Sequence, residues 1–82
     1  MFITEFQVVE NHPYLKAIAN VKWNGLHLRG LRLVEGHGKL GLGFPGRKIQ
    51  GQWQVVYETS DRSAKKRLLQ QLTDHYRAQV AA

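Results

Sequence analysis

Residues 15–35 read LKAIANVKWNGLHLRGLRLVE and contain the clearest secondary-structure signals of the sequence. Its first part, LKAIANVKW, alternates with the period of 2 that is typical of a half-buried strand. The alanines of that part also suit a helix. However, Asn24-Gly25 follows, and such a pair is the strongest short signal for a hairpin turn because both turn residues need a positive φ. The stretch is therefore predicted to form two strands joined by a tight turn.

The second strand of this hairpin changes phase part-way along. The leucines of LHLRGLRLVE occupy one phase of the alternation before Arg29-Gly30 and the other phase after it. Such a slip at a glycine predicts a β-bulge. After the bulge, Arg29 and Arg32 can point to the same face of the sheet.

The remaining sequence adds strands on both sides of the hairpin and then a helix. Alternating or β-branched runs, separated by Gly, Pro and Asn turns, predict strands at about residues 2–9, 15–23, 26–35, 39–44 and 52–58. The segment Arg47–Gln52 between the last two strands is predicted to be a polar loop. No linker or repeat divides residues 1–82, so the chain is predicted to form a single domain.

The C-terminal segment has helical periodicity over about residues 61–80. Thr59, Ser60 and Asp61 are all good N-cap residues, and no Gly or Pro interrupts the run that follows. At about 100° per residue, one side is apolar, with Ala64, Leu68, Leu69, Leu72 and Tyr76. An adjoining stripe is polar, with Arg62, Lys66, Gln70, Thr73 and Arg77. The fold class is therefore α+β, an antiparallel sheet of four to five strands with one C-terminal amphipathic helix.

Composition favours a basic protein that binds polyanions. Lys and Arg number 12 against 6 Asp and Glu, and the net charge is +6. Nucleic acid is the usual polyanion in a cytosol, although net charge also serves solubility alone.

The absence of Cys excludes a disulfide framework and a thiolate metal site. The N-terminus does not resemble a signal peptide, and no apolar run has the length of a membrane span. We therefore predict a cytoplasmic protein without a membrane partner.

The segment GLGFPG, residues 41–46, matches the G-x-G-x-x-G fingerprint of a dinucleotide-binding loop. That fingerprint requires a helix immediately after the loop, whereas here a polar loop and another strand are predicted. Pro45 also removes one of the backbone N–H donors that a phosphate cradle needs. We predict no cofactor. Gly41 and Gly43 instead leave one face of a strand bare, as occurs where a backbone or ligand approaches closely.

No constellation of residues predicts an enzyme. The histidines, His12, His27, His37 and His75, have no metal-ligand spacing, and the Ser and Thr residues lie in no nucleophile context. We predict neither a metal site nor a small-molecule substrate.

The basic residues form the candidate site. Arg47 and Lys48 are predicted to lie on a loop, Arg29 and Arg32 on the bulged strand, and the others on the helix, as Arg62, Lys65, Lys66, Arg67 and Arg77. Cations near a helix N-terminus oppose its macrodipole, so a role in stability alone is less favoured. Trp23 and Trp53 can stack on bases or fill the core, and the thin core favours a position in the core or in an interface for both.

Three segments resemble the septation protein SpoVG family of bacteria. They are LKAIANVKW, RLVEGHGKLGLGFPGRK and the helix end LLQQLTDHY. The family pattern contains an L-K-A-I-A-x-V strand and a segment that closes on P-S-R-K. In this chain Gly41 and Gly43 replace a phenylalanine and an alanine of that pattern, Pro45-Gly46 replaces Pro-Ser, and the proline before the helix is missing.

The resemblance implies a homodimeric regulator that binds DNA or RNA without catalysis, in transcription, septation or sporulation. It places Arg47 and Lys48 at the P-x-R-K position and Lys65–Arg67 in the region of nucleic-acid contact. The alternative is a protein-interaction module that acts by strand addition or dimerisation, with the basic charge serving solubility.

Overall fold

A four-stranded antiparallel sheet carries a helix on one face, and a separate two-stranded hairpin adjoins it. The computed structural model describes residues 2–55 and 57–81. In chain order, the elements are β1 (Phe2–Val8), β2 (Leu15–Trp23), β3 (Leu26–Gly36), β4 (Lys39–Gly43), β5 (Gly46–Ile49), β6 (Gln52–Val55) and α1 (Arg62–Ala81). The sheet order is β1-β2-β3-β4. The α+β class with one C-terminal helix is confirmed.

The β2–β3 hairpin forms as the sequence predicts. Its turn, Asn24-Gly25, has φ values of 50° and 77°. Further along, the predicted bulge is present: two residues of β3, Arg29 and Gly30, lie opposite the single residue Asn20 of β2. Gly30 has a φ of 79°, which favours glycine. The side chain of Asn20 stabilises this bulge, because its Oδ1 accepts a hydrogen bond from Gly30 N at 3.0 Å.

One face of the sheet and one side of α1 form the core. The residues buried between them are Ala17, Ala19 and Val21 of β2, Leu31 and Leu33 of β3, and Leu68 and Leu72 of α1. Burial of each leucine contributes about 2 kcal/mol to stability. The residues that alternate with these, such as Ile18 and its partner Arg32, lie on the opposite side, here called the open face.

The helix begins at a defined cap. Asp61 Oδ1 accepts hydrogen bonds from Ser63 N at 2.9 Å and Ala64 N at 3.3 Å. These bonds satisfy backbone donors that have no partner within the helix. The predicted apolar side is confirmed, but Thr73 was predicted on the polar stripe and is instead buried. Thr73 follows Leu72 and lies beside the groove between α1 and β4. The buried side of the helix is therefore wider than the spacing of its leucines predicts.

The prediction of a loop at Arg47–Gln52 is wrong. Residues Gly46–Ile49 form β5, which pairs antiparallel with β6. The turn between them, Gln50-Gly51, has φ values of 51° and 78°, almost those of Asn24-Gly25. Because glutamine seldom adopts a positive φ, the sequence does not reveal this turn. The predicted strand 52–58 is also shorter in the structure and ends at Val55.

Residues that flank the β5–β6 hairpin contact the main sheet beside the bulge. Tyr57 Oη donates a hydrogen bond to the carbonyl oxygen of Arg29 at 2.9 Å. The Tyr57 ring packs edge-on against Phe44, with 6.0 Å between ring centroids, and partial burial raises the pKa of the Tyr57 phenol. A β-carbon on Gly30 would lie 3.4 Å from Pro45 Cβ, so these two residues are in close contact.

Candidate nucleic-acid interface

Two glycines of GLGFPG, Gly41 and Gly43, lie in β4, and the third, Gly46, begins β5. Gly41 pairs with Val34 and Gly43 with Arg32, so both glycines lie on the open face. A β-carbon on Gly43 would lie 3.4 Å from Arg32 Cβ. The segment leads into β5 and not into a helix, so it lacks the surroundings of a pyrophosphate cradle. The bare strand face predicted from the sequence is therefore a flat part of the open face.

The helix and β4 together enclose a basic groove. Its polar lining includes Lys39 of β4 and Lys66, Gln70, Tyr76 and Arg77 of α1, with Glu35 of β3 also present. Lys66 and Arg77 are exposed and eleven positions apart, which in a helix corresponds to three turns and the same side. The groove therefore carries several cations along roughly 16 Å of helix axis. Sequence reasoning missed Lys39 and Tyr76, because only the packing of α1 against β4 brings them to the other cations.

The outer surface of α1 continues this basic region. Lys66 and Arg67 line a shallow depression with Ser63 and Gln70. Arg67 Nε donates a hydrogen bond to the carbonyl oxygen of Ser63 at 3.4 Å. On its other side, Arg67 lines a hollow with Trp23. The Trp23 side chain is partly buried against the core, which agrees with the core role favoured above. The side chain of Trp53 lies outside what the structure describes.

Apart from the Asp61 cap, the charge pattern of α1 is the reverse of the one that stabilises a helix. Arg62 and Lys65 are exposed near the helix start. The first turn holds no acidic residue and the last turn no basic one. Because the N-terminal end of a helix carries a partial positive charge, each such cation costs a few tenths of a kcal/mol. This arrangement is unfavourable for the free helix and favourable for an anion placed beside it.

Arg29 and Arg32 lie on the open face, away from the helix. Arg32 stands between two buried leucines of β3, so strand alternation points it outward. Arg29 lines a depression with His27, Asn20 and other residues of that face. Sequence reasoning did not include Lys22 and His27 in the candidate site. These two residues pair with each other on the same side of the sheet. Their common position follows from the strand register, which sequence spacing alone does not give.

Arg47 and Lys48 occupy a strand and not the predicted loop. Both are exposed and adjacent on β5. Adjacent residues of a strand point to opposite faces, so these two side chains project from opposite faces of the hairpin. Contact of both with a single phosphate, as a loop would permit, is therefore not expected.

Two of the four histidines, His12 and His75, have structural partners. His12 Nδ1 accepts hydrogen bonds from Tyr14 N at 3.1 Å and Leu15 N at 2.8 Å, which shapes the turn before β2. His75 packs on Phe6 with 4.5 Å between ring centroids. Within residues 2–55 and 57–81, no cluster of His, Cys, Asp or Glu could hold a metal ion.

No helix in the described part of the chain combines the length and apolar character that a membrane crossing requires.

The chain matches no protein-family model, and no curated protein or solved structure matches it. The resemblance to the SpoVG family therefore rests on the quoted residues alone.

Proposed function

We propose that the protein is a non-catalytic, cytoplasmic regulator that binds DNA or RNA through phosphate contacts. The observation that carries this proposal is the groove between α1 and β4, where Lys39, Lys66 and Arg77 line one surface. Gln70 and Tyr76 add hydrogen-bonding groups to the same groove. Cations spaced along a concave, partly polar surface suit the repeating charge of a nucleic-acid backbone.

The chemistry of these contacts favours affinity over sequence selectivity. Each phosphate neutralised by Lys or Arg releases bound counterions, so affinity should fall steeply as salt rises. The helix lies on the sheet, and its cations flank a groove instead of projecting from a free recognition helix. Contacts to phosphate position a protein but carry no direct sequence information. We therefore expect weak sequence preference.

The SpoVG resemblance supports the same function from separate residues. It assigns nucleic-acid contact to Arg47 and Lys48 and to Lys65–Arg67, and the charge argument reaches these positions independently. It also implies a homodimer and a role in transcription regulation, which we include in the proposal. Arg62 completes the basic helix start.

A pair of substitutions in the groove tests the proposal. We expect Lys66→Ala/Arg77→Ala to weaken binding of a labelled duplex about tenfold or more and to reduce the salt slope by about 2, because two phosphate contacts are lost. Fluorescence anisotropy at several salt concentrations measures both quantities. Lys66→Arg is the matched control, because it keeps the charge and should bind nearly as wild type. Unchanged affinity and slope in the alanine pair would refute the groove as the site.

The second candidate function is a protein-interaction module. The strands β1 and β4 are the unpaired edges of the four-stranded sheet, and β4 carries Gly41 and Gly43. An exposed edge can add a strand from a partner. Arg47→Ala/Lys48→Ala separates the two functions, since it should weaken nucleic-acid binding and leave self-association intact. Self-association without any nucleic-acid binding by the wild type would favour the module.

A further inference from the structure

The basic residues of the sheet are divided from those of the helix by the body of the domain. Lys22, Arg29 and Arg32 lie on the open face, and Lys66, Arg67 and Arg77 lie on the helix side. The core residues that alternate with the open-face residues pack against α1. The two groups of cations therefore face in opposite directions.

Cations outnumber the carboxylates on each side. On the open face, Glu5 lines the depression that also contains Arg29 and accepts a hydrogen bond from Asn20 Nδ2 at 3.3 Å. In the groove, Glu35 stands among three cations. These carboxylates keep their negative charge, so each side is positive through its excess of Lys and Arg.

The thickness of the domain separates the charges of the two sides. Its shortest dimension is 21 Å, whereas exposed charges are screened over about 8 Å at physiological salt. A nucleic acid bound along the helix groove is therefore expected to leave most of the charge of the open face available. Gly41 and Gly43 add no side chains to the β4 side of the open face, so this side is flat.

We infer that one molecule binds two segments of nucleic acid at once, one in the groove beside α1 and one on the open face, and so bridges them. This inference rests on the proposed function. It adds a second, weaker binding surface to a single protomer, so bridging does not depend on a dimer. The open face is weaker because its surface is flatter than the groove.

A bead-capture assay tests bridging. Duplex DNA of about 40 base pairs is tethered to beads, and capture of a second, fluorescent duplex is measured as protein is added; anisotropy measures binding to one duplex in parallel. The wild type should capture the second duplex at intermediate protein concentration and release it in excess. The release follows because each duplex then becomes covered by separate molecules.

Two variants with the same change in net charge distinguish the faces. Lys22→Glu/Arg29→Glu should lose capture at least tenfold while its affinity for one duplex falls only a few-fold. Lys66→Glu/Arg77→Glu should lose both capture and most of the single-duplex affinity. Circular dichroism verifies that each variant is folded, and Lys22→Gln/Arg29→Gln gives the same test if the reversal pair fails to fold.

The outcomes separate the two proposals. Full capture by the open-face variant would overturn our inference and assign bridging to a dimer of helix sides. Single-duplex binding without capture by the wild type would also overturn it, with the proposed function intact. Absence of any binding, with DNA and with single-stranded RNA alike, would overturn both.

Discussion

The helix side and the open face of this domain are built from the same strands but differ in shape. On the helix side, α1 and β4 form walls, and the cations Lys39, Lys66 and Arg77 line a groove between them. On the open face, Arg29 and Arg32 stand on a surface that the β4 glycines keep flat. A cationic surface without walls is therefore expected to bind more weakly than a groove with the same charges. The groove adds depth and hydrogen-bonding groups to its charge.

The largest expected effect is a loss of stability from a substitution in the core, on which both the helix side and the open face depend. Leu68 is fully buried and packs between α1 and the sheet. Leu68→Ala should reduce the free energy of unfolding by about 2–5 kcal/mol, through lost burial and the cavity that remains. Urea denaturation followed by circular dichroism and by tryptophan fluorescence measures the loss. Two separate transitions, with the helix lost before the sheet, would contradict a core shared by the two sides.

A smaller effect concerns the hairpin whose flanking residues contact the sheet at the bulge. Tyr57→Phe removes the hydrogen bond to the Arg29 carbonyl oxygen and should cost about 1 kcal/mol. The wild type should also depend on pH here. Because burial raises the pKa of Tyr57 in the folded state, its contribution is complete below the unfolded value of about 10 and is lost as pH rises through the folded value.

The difference in stability between wild type and Tyr57→Phe isolates this group from the other titrating side chains. Denaturation at several pH values between 8 and about 11 measures it. The difference should shrink at the alkaline end. A constant difference over that range would show that the phenol proton has no part in holding the hairpin.

The smallest expected effect on stability comes from a substitution in β4, on the open face. Gly41 has no need of a positive φ, and a β-carbon there would lie 3.8 Å from Val34 Cγ2, an ordinary contact. Gly41→Ala should therefore raise stability by a few tenths of a kcal/mol. Gly30→Ala is the contrasting variant, since its φ of 79° makes alanine cost about 1–2 kcal/mol. Thermal denaturation compares them, and equal effects would refute the assigned roles of the two glycines.

Much of the fold could be predicted from local chemistry. The Asn24-Gly25 turn, the bulge at Gly30 and the Asp61 cap each depend on neighbouring residues, so the sequence reveals them. The turn at Gln50-Gly51 is different, because glutamine adopts a positive φ there only with the support of its paired strands. Because of this pairing, the segment that was predicted to be a loop forms β5.

The candidate site was only partly predictable for a related reason. The basic helix residues share a helical period and were found from the sequence. Lys39 and Lys22 were missed because their position depends on how β4 meets α1 and on the register of β2 with β3. Arg47 and Lys48 were found, but their arrangement on a strand was not. Contacts between distant segments decide each of these cases.

The most direct test of the central claim is a salt titration of wild-type binding to duplex DNA and to single-stranded RNA. If phosphate contacts supply the affinity, the logarithm of the association constant should fall linearly with the logarithm of salt concentration. Contacts from Lys39, Lys66 and Arg77 alone give a slope of about −3 on a duplex. An affinity that stays constant between about 50 and 200 mM salt would contradict the account.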